Sequence, residues 1–342
     1  MLDDLKLIHE RDAQDALGVA EKQWQQLQHD FAIAPQLGEI RNVVLAGMGG
    51  SSLPAVYLKS WPGLSLPFDI ARDYELPAYV GGQTLCIISS YSGNTEETLS
   101  ALADAEQRGA QLVVFAAGGK LAALAREKNL PLFTIPGGIQ PRMSSFYFFA
   151  ALAQLLEPLG IMPEGSVEEL KQAGEWLKDQ TAEWRPDVAT AQNPAKQLAL
   201  ELAGKSVVVY AGPKLFPAAN KWKICCNENA KNVAWTYQYP EFNHNEFIGW
   251  ASHPVDKPYA VVEIRSNLEH PRVQKRFEVS ERLLSGKRPA PHVVNPQGDT
   301  LIKQLLWASN FGDFTSLYLA LLNGLNPTPV DLVEKFKLSL DQ

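Results

Sequence analysis

Thr84-Leu85-Cys86-Ile87-Ile88-Ser89-Ser90-Tyr91-Ser92-Gly93-Asn94-Thr95-Glu96-Glu97-Thr98 decides the fold class. The apolar run through Ile88 reads as a buried strand. From Glu97 to Arg108, apolar and polar residues alternate in a pattern that reads as a helix. Between them, Ser90 to Thr95 carry three aliphatic hydroxyls, one glycine and one asparagine, with no lysine or arginine. A small, hydroxylated loop running into a helix start suits a compact anion such as a phosphate monoester. Hydroxyls, backbone N–H groups and the positive end of the helix dipole all favour it. Helix capping alone asks for one Ser, Thr or Asn. Five small capping-type residues within the six positions from Ser90 to Thr95 exceed that need.

The same strand-to-helix rhythm extends in both directions. Arg41–Ala46, Pro67–Ala71, Leu112–Ala116 and Leu132–Ile135 read as further strands, with helical stretches between most of them. Residues 1 to about 35 read as a helical arm. After an apolar helix from Phe146 to Leu159, a more charged stretch interrupted by Pro186 and Pro194 reads as a connection. A second alternation begins at Ser206–Tyr210, continues through Val233–Tyr237, Tyr259–Ile264 and His292–Val294, and closes with helices over 301–325 and 332–340. The fold class is α/β, with two mainly parallel sheets flanked by helices. The expected organisation is an arm (1–40), a first domain (41–160), a connection (161–195) and a second domain with C-terminal helices (196–342). In parallel sheets ligands bind beyond the carboxyl ends of the strands, and the turn at Gly47 and the loop at Ser90 both belong to that edge.

Composition narrows the function. The chain has 342 residues, 46% hydrophobic and 20% charged, enough for two packed cores. The formal charge is −7 and no basic cluster stands out, which argues against nucleic acid as a partner. An acidic chain that binds an anion does so through a local site. No apolar run reaches the length of a membrane span, and the start lacks the features of a signal peptide. Three cysteines, two of them adjacent, form neither a disulfide framework nor a metal-ligand spacing. A reduced, cytoplasmic protein is expected.

Four further stretches carry candidate chemistry. Gly47-Met48-Gly49-Gly50-Ser51 leaves main-chain N–H groups open to a ligand. It matches the dinucleotide fingerprint poorly, although Asp69 lies about twenty residues on, as that motif requires. Arg142, in Gln140-Pro141-Arg142-Met143-Ser144-Ser145, sits at a helix start, where a cation is unfavourable unless it faces solvent or serves a negative ligand. Glu228, in Asn227-Glu228-Asn229-Ala230-Lys231, follows an apolar helical segment. A semi-buried carboxylate there is suited to act as a base, and a solvated helix face is the plainer alternative. His244, in Pro240-Glu241-Phe242-Asn243-His244-Asn245-Glu246, is the one histidine of six set in a dense polar cluster. It can be held in one tautomer as an acid or base. No second His or Cys stands at a zinc spacing.

Taken in order, Gly47–Ser51, Ser90–Thr95, Pro141-Arg142, Asn227–Lys231 and Pro240–Asn245 resemble the bifunctional phosphoglucose/phosphomannose isomerases of the sugar-isomerase-domain (SIS) superfamily. The resemblance spans roughly residues 41 to 340. It implies that the Ser90, Ser92 and Thr95 hydroxyls hold a hexose 6-phosphate, and that Gly49, Gly50 and Ser51 line the sugar. It implies that Arg142 stabilises an enediol(ate) and that Glu228 moves the proton between C1 and C2. His244 opens the ring, donated across a homodimer interface. A lysine near the C-terminus assists ring opening; Lys337 fits best by its place in the last helix, with Lys335 close by. Such chemistry needs neither a metal nor a redox cofactor. Ser52-Leu53-Pro54-Ala55 stands where relatives usually carry a further glycine, and Met143-Ser144-Ser145 where small apolar residues are commoner. Both departures bear on substrate breadth more than on reaction type. The competing expectations are a non-catalytic sugar-phosphate regulator and, on Gly47 to Gly50 alone, a nucleotide-dependent oxidoreductase.

Overall fold

The structure is a computed structural model that describes residues 1–252 and 258–340. The chain divides into two compact units, one of Lys22–Leu177 and one of Met1–Glu21 with Lys178–Gln342. Helices α1 (Leu5–Arg11) and α2 (Ala16–Glu21) open the chain. The buried Asp12 starts the second by accepting the N–H groups of Ala16 and Leu17 at 2.8 and 2.9 Å. The helix expected to about residue 35 stops at Gln28, at the end of a 3-10 turn. The next twelve residues have no regular structure. Tertiary partners hold them instead: Phe31 N–H donates to Gln154 Oε1 at 2.8 Å, and Asp30 pairs with Lys171 at 2.6 Å.

In the Lys22–Leu177 unit the chain runs β1 (Asn42–Gly47), α3 (Gly49–Leu58), β2 (Phe68–Ala71), β3 (Thr84–Ser90), α4 (Glu96–Gln107) and β4 (Gln111–Ala116). It continues through α5 (Gly119–Glu127), β5 (Leu132–Thr134) and α6 (Ser145–Leu156) into α7 (Ser166–Thr181), which crosses the unit boundary. All strand pairs are parallel, in the order β2-β1-β3-β4-β5. Strand β3 is central and buried at all seven positions, as a parallel strand covered on both faces must be. Helix α3 begins at Gly49, directly after the β1 turn. Pro54 therefore falls inside it, where it removes one helical hydrogen bond.

The second unit carries α8 (Pro194–Leu202), β6 (Ser206–Ala211), α9 (Phe216–Glu228), β7 (Ala234–Gln238), α10 (Glu246–Gly249) and β8 (Tyr259–Ile264). After these come α11 (Pro271–Leu283), β9 (His292–Val294), α12 (Leu301–Leu322) and α13 (Asp331–Leu340). Pro194 begins α8 and does not break a helix. Asn193 Oδ1 caps the N–H groups of Ala195 and Lys196, both at 3.1 Å, and proline is well suited to the first helical position. The sheet is again parallel, in the order β7-β6-β8-β9, the same order as the first four strands of the other sheet. Helix α12 is buried along almost its whole length. It lies so close to α9 that a Cβ on Gly312 would stand 2.3 Å from Trp222 Nε1, which donates to Ala308 O at 2.7 Å.

Gly312→Ala should therefore overpack the α9–α12 contact and cost about 1–3 kcal/mol. Urea denaturation checks this, and an unchanged midpoint would contradict the packing described.

Candidate functional site

The Ser90–Thr95 hydroxyl loop sits at the carboxyl edge of the first sheet. Gly47 pairs with Ser89 in register, so the β1–α3 turn and the β3–α4 loop emerge side by side. Gly47 is glycine for a steric reason: a Cβ there would lie 2.6 Å from Ser89 O. Ser51 joins the two segments. Its hydroxyl accepts Tyr91 N–H at 2.9 Å, and its carbonyl accepts the Ser89 hydroxyl at 2.9 Å.

Within the loop, the Ser90 and Thr95 hydroxyls hydrogen-bond each other at 2.9 Å, and Ser90 Oγ accepts Gly93 N–H at 3.1 Å. Thr95 occupies the cap position of α4, yet its side chain makes no capping bond. The capping explanation thus fails at the residue best placed to satisfy it. Ser92 Oγ accepts Asn94 N–H at 3.3 Å. Asn94 does cap a helix, but a different one: its Oδ1 accepts Lys120 N–H at the start of α5, at 3.0 Å. Gly93 has φ +69°, and a Cβ on it would lie 1.9 Å from Gly118 O, so the loop and the α5 turn are fitted backbone to backbone.

Arg142 reaches the same edge through a 3-10 turn, Pro141–Met143, that precedes α6. A Cβ on Gly50 would lie 2.7 Å from Pro141 O and 2.9 Å from Arg142 N. Gly50 and the Arg142 turn are thus in direct backbone contact. Arg142 is 2% exposed, and its Nη1 donates to Gln140 Oε1 at 3.3 Å. A guanidinium buried this deeply demands good acceptors. The structure therefore brings together Gly49, Gly50, Ser51, Ser90, Ser92, Thr95 and Arg142. It also adds Arg72, which follows β2 and donates through Nε to Ser52 Oγ at 3.1 Å. The sequence reading passed over Arg72; its signal was a cation placed directly after a strand of this sheet. Asp69, the acid that kept a nucleotide reading open, lies in the middle of β2 and accepts from Tyr79 OH at 2.5 Å.

In the second unit, Glu228 is half-buried at the end of α9. That end lies at the amino edge of the sheet: Asn227 Nδ2 donates to Ala234 O at 3.3 Å, and Val207 N–H donates to Val233 O at 3.2 Å. His244 is exposed at the end of a 3-10 turn, Glu241–His244, beyond the carboxyl edge, where Tyr239 N–H donates to Ala211 O at 2.9 Å. The five residues of β7 separate the two segments by about 16 Å of strand. One chain therefore does not bring its own Glu228 and His244 together. The buried Phe242 anchors the His244 turn among Tyr210, Tyr239 and Phe247, and Asn243 bridges Ser280 Oγ (2.8 Å) and Arg276 Nη1 (3.2 Å). Lys335 and Lys337 are both exposed on α13, with Lys337 Nζ 2.8 Å from Glu334 Oε1.

Burial pushes the Cys86 and Cys226 thiols up to about 12, so neither supplies a thiolate near neutral pH. Among the described residues no cluster of three or more His, Cys, Asp and Glu could hold a metal ion, and no helix is long and apolar enough to cross a membrane.

Known proteins give a consistent picture. Residues 191–340 match the family described as bacterial phospho-glucose isomerase C-terminal SIS domain. A bifunctional phosphoglucose/phosphomannose isomerase of Caldicellulosiruptor bescii is 34% identical over 306 residues, covering 88% of this chain and 90% of that protein. Another, of Aquifex aeolicus, is 30% identical over 311 residues, covering 90% and 93%. The crystal structure of a glucose-6-phosphate isomerase like protein from Thermus thermophilus superposes with a TM-score of 0.66 at 18% identity, covering 97% of this chain and 99% of that one. That last likeness is one of fold.

Gly93→Ala should break the fit between the loop and the α5 turn, and weaken binding of inorganic phosphate by roughly tenfold or more. Calorimetric titration measures it; unchanged affinity would remove the loop as the anion site.

Proposed function

The chain belongs to the bifunctional phosphoglucose/phosphomannose isomerase family and is a phosphosugar isomerase, and we propose that it interconverts glucose 6-phosphate, mannose 6-phosphate or both with fructose 6-phosphate. The observation that carries this reading is the shared sheet edge on which the hydroxyl loop, the bare Gly49–Gly50 turn and the buried Arg142 meet.

The Ser90, Ser92 and Thr95 hydroxyls hold the 6-phosphate. In the unliganded loop the Ser90 and Thr95 hydroxyls satisfy each other, and a phosphate oxygen replaces that contact without stranding either group. The first turn of α4, uncapped by Thr95, adds N–H donors and the positive end of its dipole. Gly49, Gly50 and Ser51 line the sugar. Glu228 takes the proton from C2 of the open-chain aldose and returns it to C1. Arg142 stabilises the oxygen on which the enediolate charge develops, where a fixed cation in a dry site acts most strongly. Both epimers at C2 yield one enediol, so rotation about C2–C3 lets a single base serve glucose and mannose configurations. This route calls for neither a metal nor a redox cofactor.

His244 opens the sugar ring, and Lys337, or the neighbouring Lys335, assists. Because Glu228 and His244 stand at opposite edges of one sheet, the reading assigns His244 to the site of a second copy in a homodimer. The non-catalytic regulator is the weaker reading: it gives no use to a half-buried Glu228 or to an exposed histidine on a rigidly anchored turn. The chain's three cysteines form no disulfide, which accords with a cytoplasmic enzyme of central hexose phosphate metabolism.

Glu228→Gln should lower isomerisation by about 10²–10⁴-fold, the range for a general acid–base group, with sugar-phosphate binding retained. A coupled assay reads the first and calorimetry the second; near-normal turnover rejects Glu228 as the base. His244→Ala should lose more activity on the cyclic substrate than on an open-chain analogue, and equal losses rule out a ring-opening role.

A further inference from the structure

We infer that the buried Lys221–Asp313 ion pair between α9 and α12, with Cys225 bound to the same carboxylate, positions Glu228 for proton transfer. The inference rests on the proposed role of Glu228 as the base. Both charged side chains are completely buried. The Lys221 ammonium bonds Asp313 Oδ2, and Cys225 Sγ donates to Asp313 Oδ1 at 3.0 Å. Such a pair adds little net stability, because well-packed apolar residues of similar volume do as well or better in its place. Its occurrence in the middle of a buried helix calls for a different account.

The helix geometry supplies one. Lys221, Cys225 and Glu228 stand at i, i+4 and i+7, so they share one face of α9. The face that Asp313 grips is the face that carries Glu228, about 10 Å further along the axis. Polar contacts continue on both sides of the base. Before it, Trp222 Nε1 donates to Ala308 O at 2.7 Å. After it, Asn229 Nδ2 donates to Ser316 Oγ at 2.9 Å, and that hydroxyl donates to Asp313 O at 2.9 Å. Asn323 Nδ2 then donates to Ala230 O at 3.1 Å, and Lys231 Nζ to Asn326 O at 2.9 Å. From Trp222 onward the contacts advance along α9 and the residues just after it as their partners advance along α12 and the turn that follows it. Hydrogen bonds are directional, so this series fixes both the rotation and the axial position of α9, whereas apolar side chains can repack around a small shift. A base must lie within about 3 Å of the carbon-bound proton's path, and an error near 1 Å can cost a hundredfold. Lys221 and Asp313 are thus positioning residues, sealed inside their own unit.

The double variant Lys221→Met with Asp313→Leu removes both charges together and leaves no unpaired ion. We expect a thermal midpoint close to the parent's, a KM within about twofold, and a kcat about tenfold lower or more. Here kcat is taken per binding-competent site, counted by titration with a non-isomerisable hexitol 6-phosphate, so that loss of folded protein does not mimic the effect. Parental kcat per site in the folded double variant overturns the inference. Should that variant fail to fold, Ser316→Ala, which removes both the acceptor of Asn229 and the donor to the Asp313 carbonyl, decides the matter in the same way. Lower kcat per site at unchanged KM supports positioning, and unchanged kcat overturns it. Glu228→Gln run alongside separates the two layers. Normal turnover there removes the base itself. Loss there, with parental turnover in the double variant, removes only the positioning role.

Discussion

Parallel strands give a sheet two unlike edges, and this chain uses both. Strand carboxyl ends face one way and amino ends the other, so a residue's edge is fixed by whether it follows a strand or precedes one. The hydroxyl loop follows β3 and the glycine turn follows β1, so both emerge at the carboxyl edge of their sheet. Glu228 ends the helix that returns the chain to the start of β7, and His244 follows β7. The strand direction alone keeps these two apart. Under the proposed function, which uses both, a second chain supplies one of them, as a symmetric dimer can.

Charge is distributed with the same economy. The chain is acidic overall, yet the proposed phosphate loop contains no cation. Neutral hydroxyls and backbone N–H groups can hold an anion without competing for the charge that develops at the carbons, the role proposed for Arg142, which is buried behind the glycine turn. The helix that carries Glu228, the proposed base, is tied down by a buried pair, which salt screens less than it would surface charges.

Much of this was legible from the chain. The strands of both sheets stand where apolar runs of strand length stand, because a parallel sheet buries its strands on both faces and so writes them as nearly continuous hydrophobic stretches. The loop announced itself by packing small polar residues into one junction. Other features depend on residues far apart in sequence. Nothing local marks Arg72 as a neighbour of Ser52, or Asp313 as the partner of Lys221 ninety-two positions away. Pro194 looked like a helix breaker because its role as a helix starter depends on the cap that Asn193 makes. Residues after Gln28 fall within the expected helical arm but take no regular structure and are held by Gln154 and Lys171. The assignment of Glu228 and His244 to opposite edges required the register of β6 and β7, which no motif encodes.

The most direct test of a shared site is complementation between two inactive variants. Glu228→Gln and His244→Ala homodimers are unfolded together, refolded as an equimolar mixture and assayed. If His244 serves the partner's Glu228, each mixed dimer has one site with both groups intact and one with neither. The mixture should then recover about a quarter of parental activity, since half of the dimers are mixed. If both groups act within one chain, every site in the mixture lacks one of them, and activity no higher than that of the separate variants contradicts the shared site.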